Sequence, residues 1–211
     1  MKRKKKLLKR SVLYLIIDKK KAGPFWLRGV SKKIKGTDID IVQLRDKKSA
    51  KSSIIRDAFF IRKALSETRA IFIVNDYLDA AKIAGADGIH LGQSDVSPKI
   101  ARMVLGRDRI IGVSCHNLKQ ALAAQKSGAD YIGIGPVFPT PTKPEYRPIG
   151  LKLIKALNRK VRIPFFVIGG VNLENIDKII ASGAKRVAVC RAILNAGDIT
   201  SAIKKFSTIL H

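Results

Sequence analysis

The chain has 211 residues, 42 of them Lys or Arg against 16 Asp or Glu, and a formal net charge of +26 on a composition 46% hydrophobic and 6% aromatic. That length and apolar content suit one domain with a sizeable core rather than a disordered polycation. No apolar run approaches the ~20 residues that span a bilayer, and the positive charge is spread along a chain with few aromatics and no recognised nucleic-acid-binding motif, so a solvated basic surface is expected rather than a specific nucleic-acid site.

Residues 1–10, MKRKKKLLKR, read as a basic tail, and residues 11–211 as a single catalytic domain. The tail leads into an apolar run at 11–17 that resembles the start of a secretory signal. The run is short, Asp18 ends it, and no small-residue cleavage site follows, so it reads as a buried first strand. Further β-branched runs fall at 39–45, 70–76, 88–92, 110–115, 131–137, 164–170 and 186–192. Helical spacing occupies 52–67, 117–127 and 172–182, with Asn117 and Asn172 as N-caps and Gly128 and Gly183 as left-handed C-terminal residues. Ala-Gly-Ala-Asp-Gly at 84–88 recurs as Ser-Gly-Ala-Asp at 127–130 and Ser-Gly-Ala-Lys at 182–185, each time where a helix ends and a strand begins. Eight strands alternating with helices point to an α/β fold, a single compact TIM (β/α)8 barrel, although doubly wound sheets alternate in the same way. Cys115 and Cys190 sit inside apolar strands, which suggests reduced core thiols and a cytoplasmic protein.

Side chains alternate across a strand. Gln43, Arg45 and Lys47 therefore share one face, Asn75 joins Ile71 and Ile73 with Asp76 following, and His90 and Gly92 oppose Ile89 and Leu91. Gly112 and Ser114, then Gly133 and Gly135, continue the pattern. With the bulky apolar sets facing the helices, the polar and small sets would face the barrel interior. Buried polar groups need partners, so a polar ligand is expected at the C-terminal ends of the strands, where barrel active sites lie. Arg45 and Lys47 could hold phosphoryl oxygens. Asp76 and Asp95 follow neighbouring strands and could share Mg²⁺ with substrate phosphates. In and beside the segment 135–143, Gly133 and Gly135 would leave room for a ligand, and Pro139, Pro141 and Pro144 would stiffen a turn presenting Thr140, Thr142 and Lys143 to a phosphate. Singly, each residue has a plainer reading: Arg45 as a structural ion pair, Asp76 as a helix N-cap, Asp95 as an N-cap or turn residue before Pro98, His90 as a satisfied core histidine, His116 as a surface residue.

Several segments resemble the thiamine-phosphate synthase family: VQLRDK at 42–47, VNDYLDAAKIAGADGIHLGQSD at 74–95, IGVSCHNLKQA at 111–121, GADYIGIGPVFPTPTK at 128–143 and IGGVNLENI at 168–176. The resemblance implies a transferase that joins 4-amino-2-methyl-5-(hydroxymethyl)pyrimidine diphosphate to 4-methyl-5-(2-hydroxyethyl)thiazole phosphate, or its carboxylated form. Diphosphate would leave first, and the thiazole nitrogen would capture the resulting cation. By position, Gln43, Arg45, Lys47, Asn75, Ser114 and Lys143 would bind the pyrimidine diphosphate, with Arg45, Lys47, Ser114 and Lys143 catalytic, and His90 is counted among the substrate-binding residues. Asp76 and Asp95 would bind Mg²⁺. Thr140, Thr142, Gly170 and the backbone at Cys190 and Arg191 would bind the thiazole phosphate. Arg191 stands where the family often has serine, Cys115 where it has threonine, and Asp46 where glutamate is common. The related thiazole tautomerases share the fold and a histidine equivalent to His116, and a basic nucleic-acid-binding protein on a barrel scaffold is the alternative of another class. The expected partners are small-molecule substrates, with no specific nucleic acid and no membrane, and a homo-oligomer is left open.

Overall fold

The computed structural model describes residues 2–22, 26–142 and 146–211. Eight parallel strands, β1 (Leu13–Asp18), β2 (Ile41–Arg45), β3 (Ile71–Asn75), β4 (Gly88–Leu91), β5 (Ile110–Cys115), β6 (Tyr131–Ile134), β7 (Phe165–Ile168) and β8 (Val187–Val189), close in sequence order into a barrel. Closure runs through β1 and β8, with Leu13 opposite Val187 and Leu15 opposite Val189. This is the TIM barrel, and the unbroken ring excludes the doubly wound sheet. The helices around it are α2 (Lys19–Ala22), α3 (Trp26–Ile34), α4 (Lys51–Ala64), α5 (Leu78–Ile83), α6 (Pro98–Leu105), α7 (Leu118–Lys126), α8 (Lys152–Lys160), α9 (Ile176–Ala181), α10 (Arg191–Leu194) and α11 (Ile199–Leu210). No helix among the described residues is long and apolar enough to cross a membrane.

Helix boundaries follow local chemistry. The Asn117 side chain accepts from the Gln120 amide and starts α7 as expected. Gly128 and Gly183 adopt φ of 88° and 93°, the left-handed conformation glycine reaches without strain. Asn172 does not start α9. Its side chain accepts from the amides of Glu174 and Asn175 and holds a separate turn, so the helix begins four residues later, at Ile176.

The strand alternation divides the core in two. Leu15, Val42, Leu44, Val74, Ile89, Leu91, Ile111, Ile132 and Val167 belong to the shell between sheet and helices. Tyr14, Ile16, Ile41, Ile71, Ile73, Ile110, Tyr131, Phe166 and Ala188 form a second cluster, inside the barrel. The interior is therefore not wholly polar and small, as expected, because its lower part is filled with isoleucines and three aromatic rings. Tyr14 and Tyr131 each meet Phe166 edge-on, at 5.3 and 5.7 Å between centroids. Gly112 is glycine for this reason: a Cβ there would fall 2.0 Å from Cζ of Tyr131.

Of the basic segment 1–10, expected to be a tail, residues 2–10 are part of the fold. Lys2–Arg10 forms helix α1, whose Leu8 is 2% exposed and joins the interior cluster, with Leu7 packed against it. Lys4 donates to the Ala70 carbonyl at 2.6 Å and lies 3.4 Å from Asp87, while Lys5 reaches Asp130 at 2.9 Å. These partners precede β3, β4 and β6, so α1 covers the end of the barrel where those strands begin.

Candidate active site

At the opposite end, where the strands finish, lies a cavity of about 420 Å³. Its lining brings together seven residues expected in the site: Arg45, Ser114, Thr140, Thr142, Gly170, Cys190 and Arg191. Lys143 lies outside the described residues.

The wall of the cavity beside β1 and β2 is an ion pair. The Arg45 guanidinium donates to the carboxylate of Asp18, which is 3% exposed. Arg45 is thus both structurally paired and cavity-lining, so its plain reading and its functional one hold together. Asp18 was read only as the residue that ends the first apolar run, but it fixes the charge at the cavity wall. The signal available was an acid closing a strand whose neighbour ends in arginine, in register: Asp18 pairs with Arg45 across the ladder.

On the β5 side, His116 lines the cavity rather than the surface. Its Nδ1 lies 2.6 Å from the Gly135 carbonyl, an acceptor only, so Nδ1 carries the proton and Nε2 is the basic atom of the neutral ring. Tyr146 stacks on it at 4.5 Å. Next to it, burial pushes the Cys115 thiol up to about 12, and burial pushes Cys190 up to about 11, so neither is a thiolate nucleophile near neutral pH.

The loop after β6 continues the sheet beyond its last ladder pair. The Val137 and Phe138 amides donate to the carbonyls of Ile168 and Gly169 at 2.9 and 3.1 Å. Gly135 lines the cavity and also serves this approach: a Cβ there would lie 2.1 Å from the Ile168 carbonyl oxygen. Gly169 and Gly170, with φ of 96° and 68°, accept the loop from below, where a Cβ would meet Pro136 at 2.3 Å or Phe138 at 2.7 Å. Held in this way, the turn carries Thr140 and Thr142 to the rim, with the Thr142 amide donating to Thr140 Oγ1 at 3.3 Å.

A second polar group follows β2, β3 and β4. Lys47 Nζ lies 3.1 Å from Asp76 Oδ2, and Asp95 Oδ2 accepts from the Gly92 amide at 2.6 Å. Burial, and after it a hydrogen bond with the Asp95 carboxyl, raise the pKa of Asp76 above the ordinary carboxylate value, against the pull of Lys47. Asp76 also has φ of 64°, the one non-glycine in that region among the described residues. Neither aspartate caps a helix. The N-cap of α5 is Tyr77 and that of α6 is Ser97, whose side chain accepts from Ile100. Two carboxylates in mutual contact fit a divalent cation completed by substrate oxygens. Among the described residues there is no cluster of three or more metal-ligating side chains.

Gln43, Asn75 and His90 do not line the cavity; they are 2%, 6% and 8% exposed. Gln43 and His90 lie below it, joined by the two tyrosines. Gln43 Nε2 donates to the Tyr14 hydroxyl at 2.7 Å, the two hydroxyls are 2.8 Å apart, and the Tyr131 hydroxyl lies 3.0 Å from His90 Nδ1. His90 Nε2 then meets Ser114 Oγ at 2.9 Å. Sequence reasoning did not single out the tyrosines, because an aromatic alternating with aliphatics looks like any core residue.

A TIM barrel with a paired arginine, hydroxyls and a two-carboxylate cluster where its strands end is built as an enzyme for small anionic substrates. Known proteins narrow that class. The family model described as thiamine monophosphate synthase matches residues 13–193. A thiamine-phosphate synthase of Halalkalibacterium halodurans is 40% identical over 174 residues, covering 82% of this chain and 82% of that protein. Another, from Methanospirillum hungatei, is 40% identical over 199 residues, covering 94% and 97%. The solved structure of thiamine phosphate pyrophosphorylase from Pyrococcus furiosus superposes with a TM-score of 0.86 at 31% identity, covering 100% of this chain and 98% of that one. The chain belongs to the thiamine-phosphate synthase family of transferases.

Proposed function

We propose that this chain condenses the hydroxymethylpyrimidine diphosphate with the hydroxyethylthiazole phosphate to give thiamine phosphate and diphosphate. The observation that carries this reading is the gathering of Arg45, Ser114, Thr140 and Thr142 around one cavity, with Lys47, Asp76 and Asp95 following the adjoining strands. The bond between the pyrimidine methylene carbon and the diphosphate oxygen breaks with its electron pair going to diphosphate. The thiazole nitrogen lone pair then closes the new carbon–nitrogen bond. Arg45, held by Asp18, and Lys47 meet the charge that grows on the leaving group. Asp76 and Asp95 would hold Mg²⁺, which when bound neutralises further diphosphate charge. Thr140, Thr142, Gly170 and Arg191 would receive the thiazole phosphate, which places both reactants in one enclosure. No base has to activate the nucleophile, consistent with two thiols kept protonated by burial. Free thiols also suit a reducing cytoplasm.

A second reading, thiazole tautomerisation, is favoured by one observation: His116 lines the cavity with Nδ1 committed to Gly135 and Nε2 basic. Incubation with both substrates and Mg²⁺ should yield thiamine phosphate and diphosphate in equal amounts. His116→Ala should retain coupling. Isomerised thiazole carboxylate phosphate without coupled product, lost in His116→Ala, would establish the second reading.

A further inference from the structure

Beneath the cavity, five side chains form an unbroken polar chain across the barrel: Gln43, Tyr14, Tyr131, His90 and Ser114. We propose that this chain is a one-way hydrogen-bond relay that makes Ser114 an obligate donor to the substrate, with Tyr131 and His90 as positioning residues acting through it.

The direction follows from counting donors. The Gln43 amide nitrogen can only donate, so the Tyr14 oxygen accepts from it. The Tyr14 proton is then satisfied by Tyr131, 2.8 Å away. Were Tyr131 to donate back instead, the Tyr14 proton would have no acceptor among these five groups, and a buried hydroxyl left without one is destabilising. Tyr131, having accepted, donates to His90 Nδ1. A ring nitrogen that accepts carries no proton, so the neutral ring holds its proton on Nε2 and donates to Ser114 Oγ. Ser114, having accepted from below, keeps its own proton for the cavity it lines. Both phenols are fully buried, and burial raises their pKa values above the ordinary one, so each remains a donor through the working pH range.

The hydroxyl of a serine can ordinarily rotate between donating and accepting. Here the relay removes that choice before substrate arrives, so the cavity offers a fixed proton to a lone-pair acceptor, a ring nitrogen or a phosphoryl oxygen, and disfavours a ligand presenting N–H at that point. The packing around the rings serves the same end. The His90 ring lies over Gly133, where a Cβ would stand 3.4 Å from its Cε1, and Gly112 admits the Tyr131 ring.

The inference rests on the coupling reading for its kinetic consequence but not for its geometry, and the test separates the two. In ligand-free protein, long-range proton–nitrogen NMR of the imidazoles should show His90 as one tautomer, protonated at Nε2. A proton on Nδ1 overturns the relay. Tyr131→Phe keeps the ring and removes the donor; His90 should then show both tautomers. Tyr14→Phe leaves the Tyr131 proton in place, and His90 should stay Nε2-protonated. Equal disturbance by both substitutions would mean that the ring responds to packing, not to proton order, and would also overturn it. In the coupling assay, Tyr131→Phe should lower kcat/KM about tenfold, as for one hydrogen bond to a charged or developing-charge acceptor. In a Ser114→Ala background the same change should cost less than about twofold. Full additivity would refute action through Ser114. Should Tyr131→Phe not fold, the wild-type tautomer and the Tyr14→Phe spectrum still decide. Absence of any coupling would count against the proposed function and leave the spectra to judge the relay.

Discussion

Asp76 carries the clearest conflict between stability and its proposed use. Its backbone lies in the left-handed region at φ 64°, and its half-buried carboxyl meets that of Asp95. Both features disfavour the fold. Because the folded pKa is raised, the ionised carboxylate costs stability, and that cost grows as pH rises through the folded pKa. Replacement by Asn removes the like-charge contact at nearly the same volume. Asp76→Asn should therefore raise the thermal midpoint of the protein in chelator while reducing Mg²⁺-dependent turnover by about a hundredfold or more, as for loss of a group that offsets leaving-group charge. Melting curves and initial rates on the same preparation check both halves. Unchanged turnover with unchanged Mg²⁺ dependence would remove Asp76 from the site.

At the scale of elements, β1, β2 and α4 are tied by one lysine. Lys19 Nζ lies 3.1 Å from Asp46 and 2.8 Å from Asp57 and also donates to Ser49 and Ser53. Burial alone would push the Asp46 carboxyl up. Hydrogen bonds from Ser49, from the Lys48 and Ser49 amides and from Lys19 outweigh it and hold the group at about 2, below its ordinary 3.8. A lowered folded value means that the unfolded chain binds the proton first as pH falls. The stability from Asp46 should be complete above about pH 4 and vanish by about pH 2. Denaturant melts of wild type and Asp46→Asn should therefore differ at neutral pH and converge near pH 2. A constant gap across that range would contradict the assignment. The helix α1 gives a second expectation. Leu8→Ala should cost about 2–4 kcal/mol by the loss of a buried leucine, whereas a tail residue would cost nothing measurable. Elements differ in how far the sequence betrays them. The alternation at Gln43 and Arg45, or Gly112 and Ser114, reports a strand face because period two is visible within five residues. Leu7 and Leu8 are one apolar pair among lysines, too short for any period, so α1 was hidden. The sheet-like bonds of Val137 and Phe138 could not be read either, since they depend on Gly169 and Gly170 turning beneath them. Nor could the burial of Gln43 and His90 under the cavity, because alternation tells inside from outside but not depth along the barrel axis.

For the whole molecule, a net charge of +26 means that polyanions will adhere at low salt. Part of the basic helix is neutralised within the fold by Asp87 and Asp130. Binding to duplex DNA should accordingly be weak, indifferent to sequence and steeply lost as salt approaches physiological strength. Titrations of two unrelated duplexes at several salt concentrations test this, and a sequence-selective complex that survives physiological salt would restore the nucleic-acid reading. The packed lower interior has a different consequence. With Ile41, Ile71 and Ile110 fully buried, three rings above them and α1 covering that end, the lower barrel is solid. Whatever enters the cavity must leave by the same mouth. Two substrates and two products then share one doorway, so their order of arrival is set by obstruction as much as by affinity. Were the diphosphate-bearing reactant seated against Arg45 at the cavity wall, as proposed, it would have to come in ahead of the thiazole, and the spent diphosphate would wait behind the thiamine phosphate.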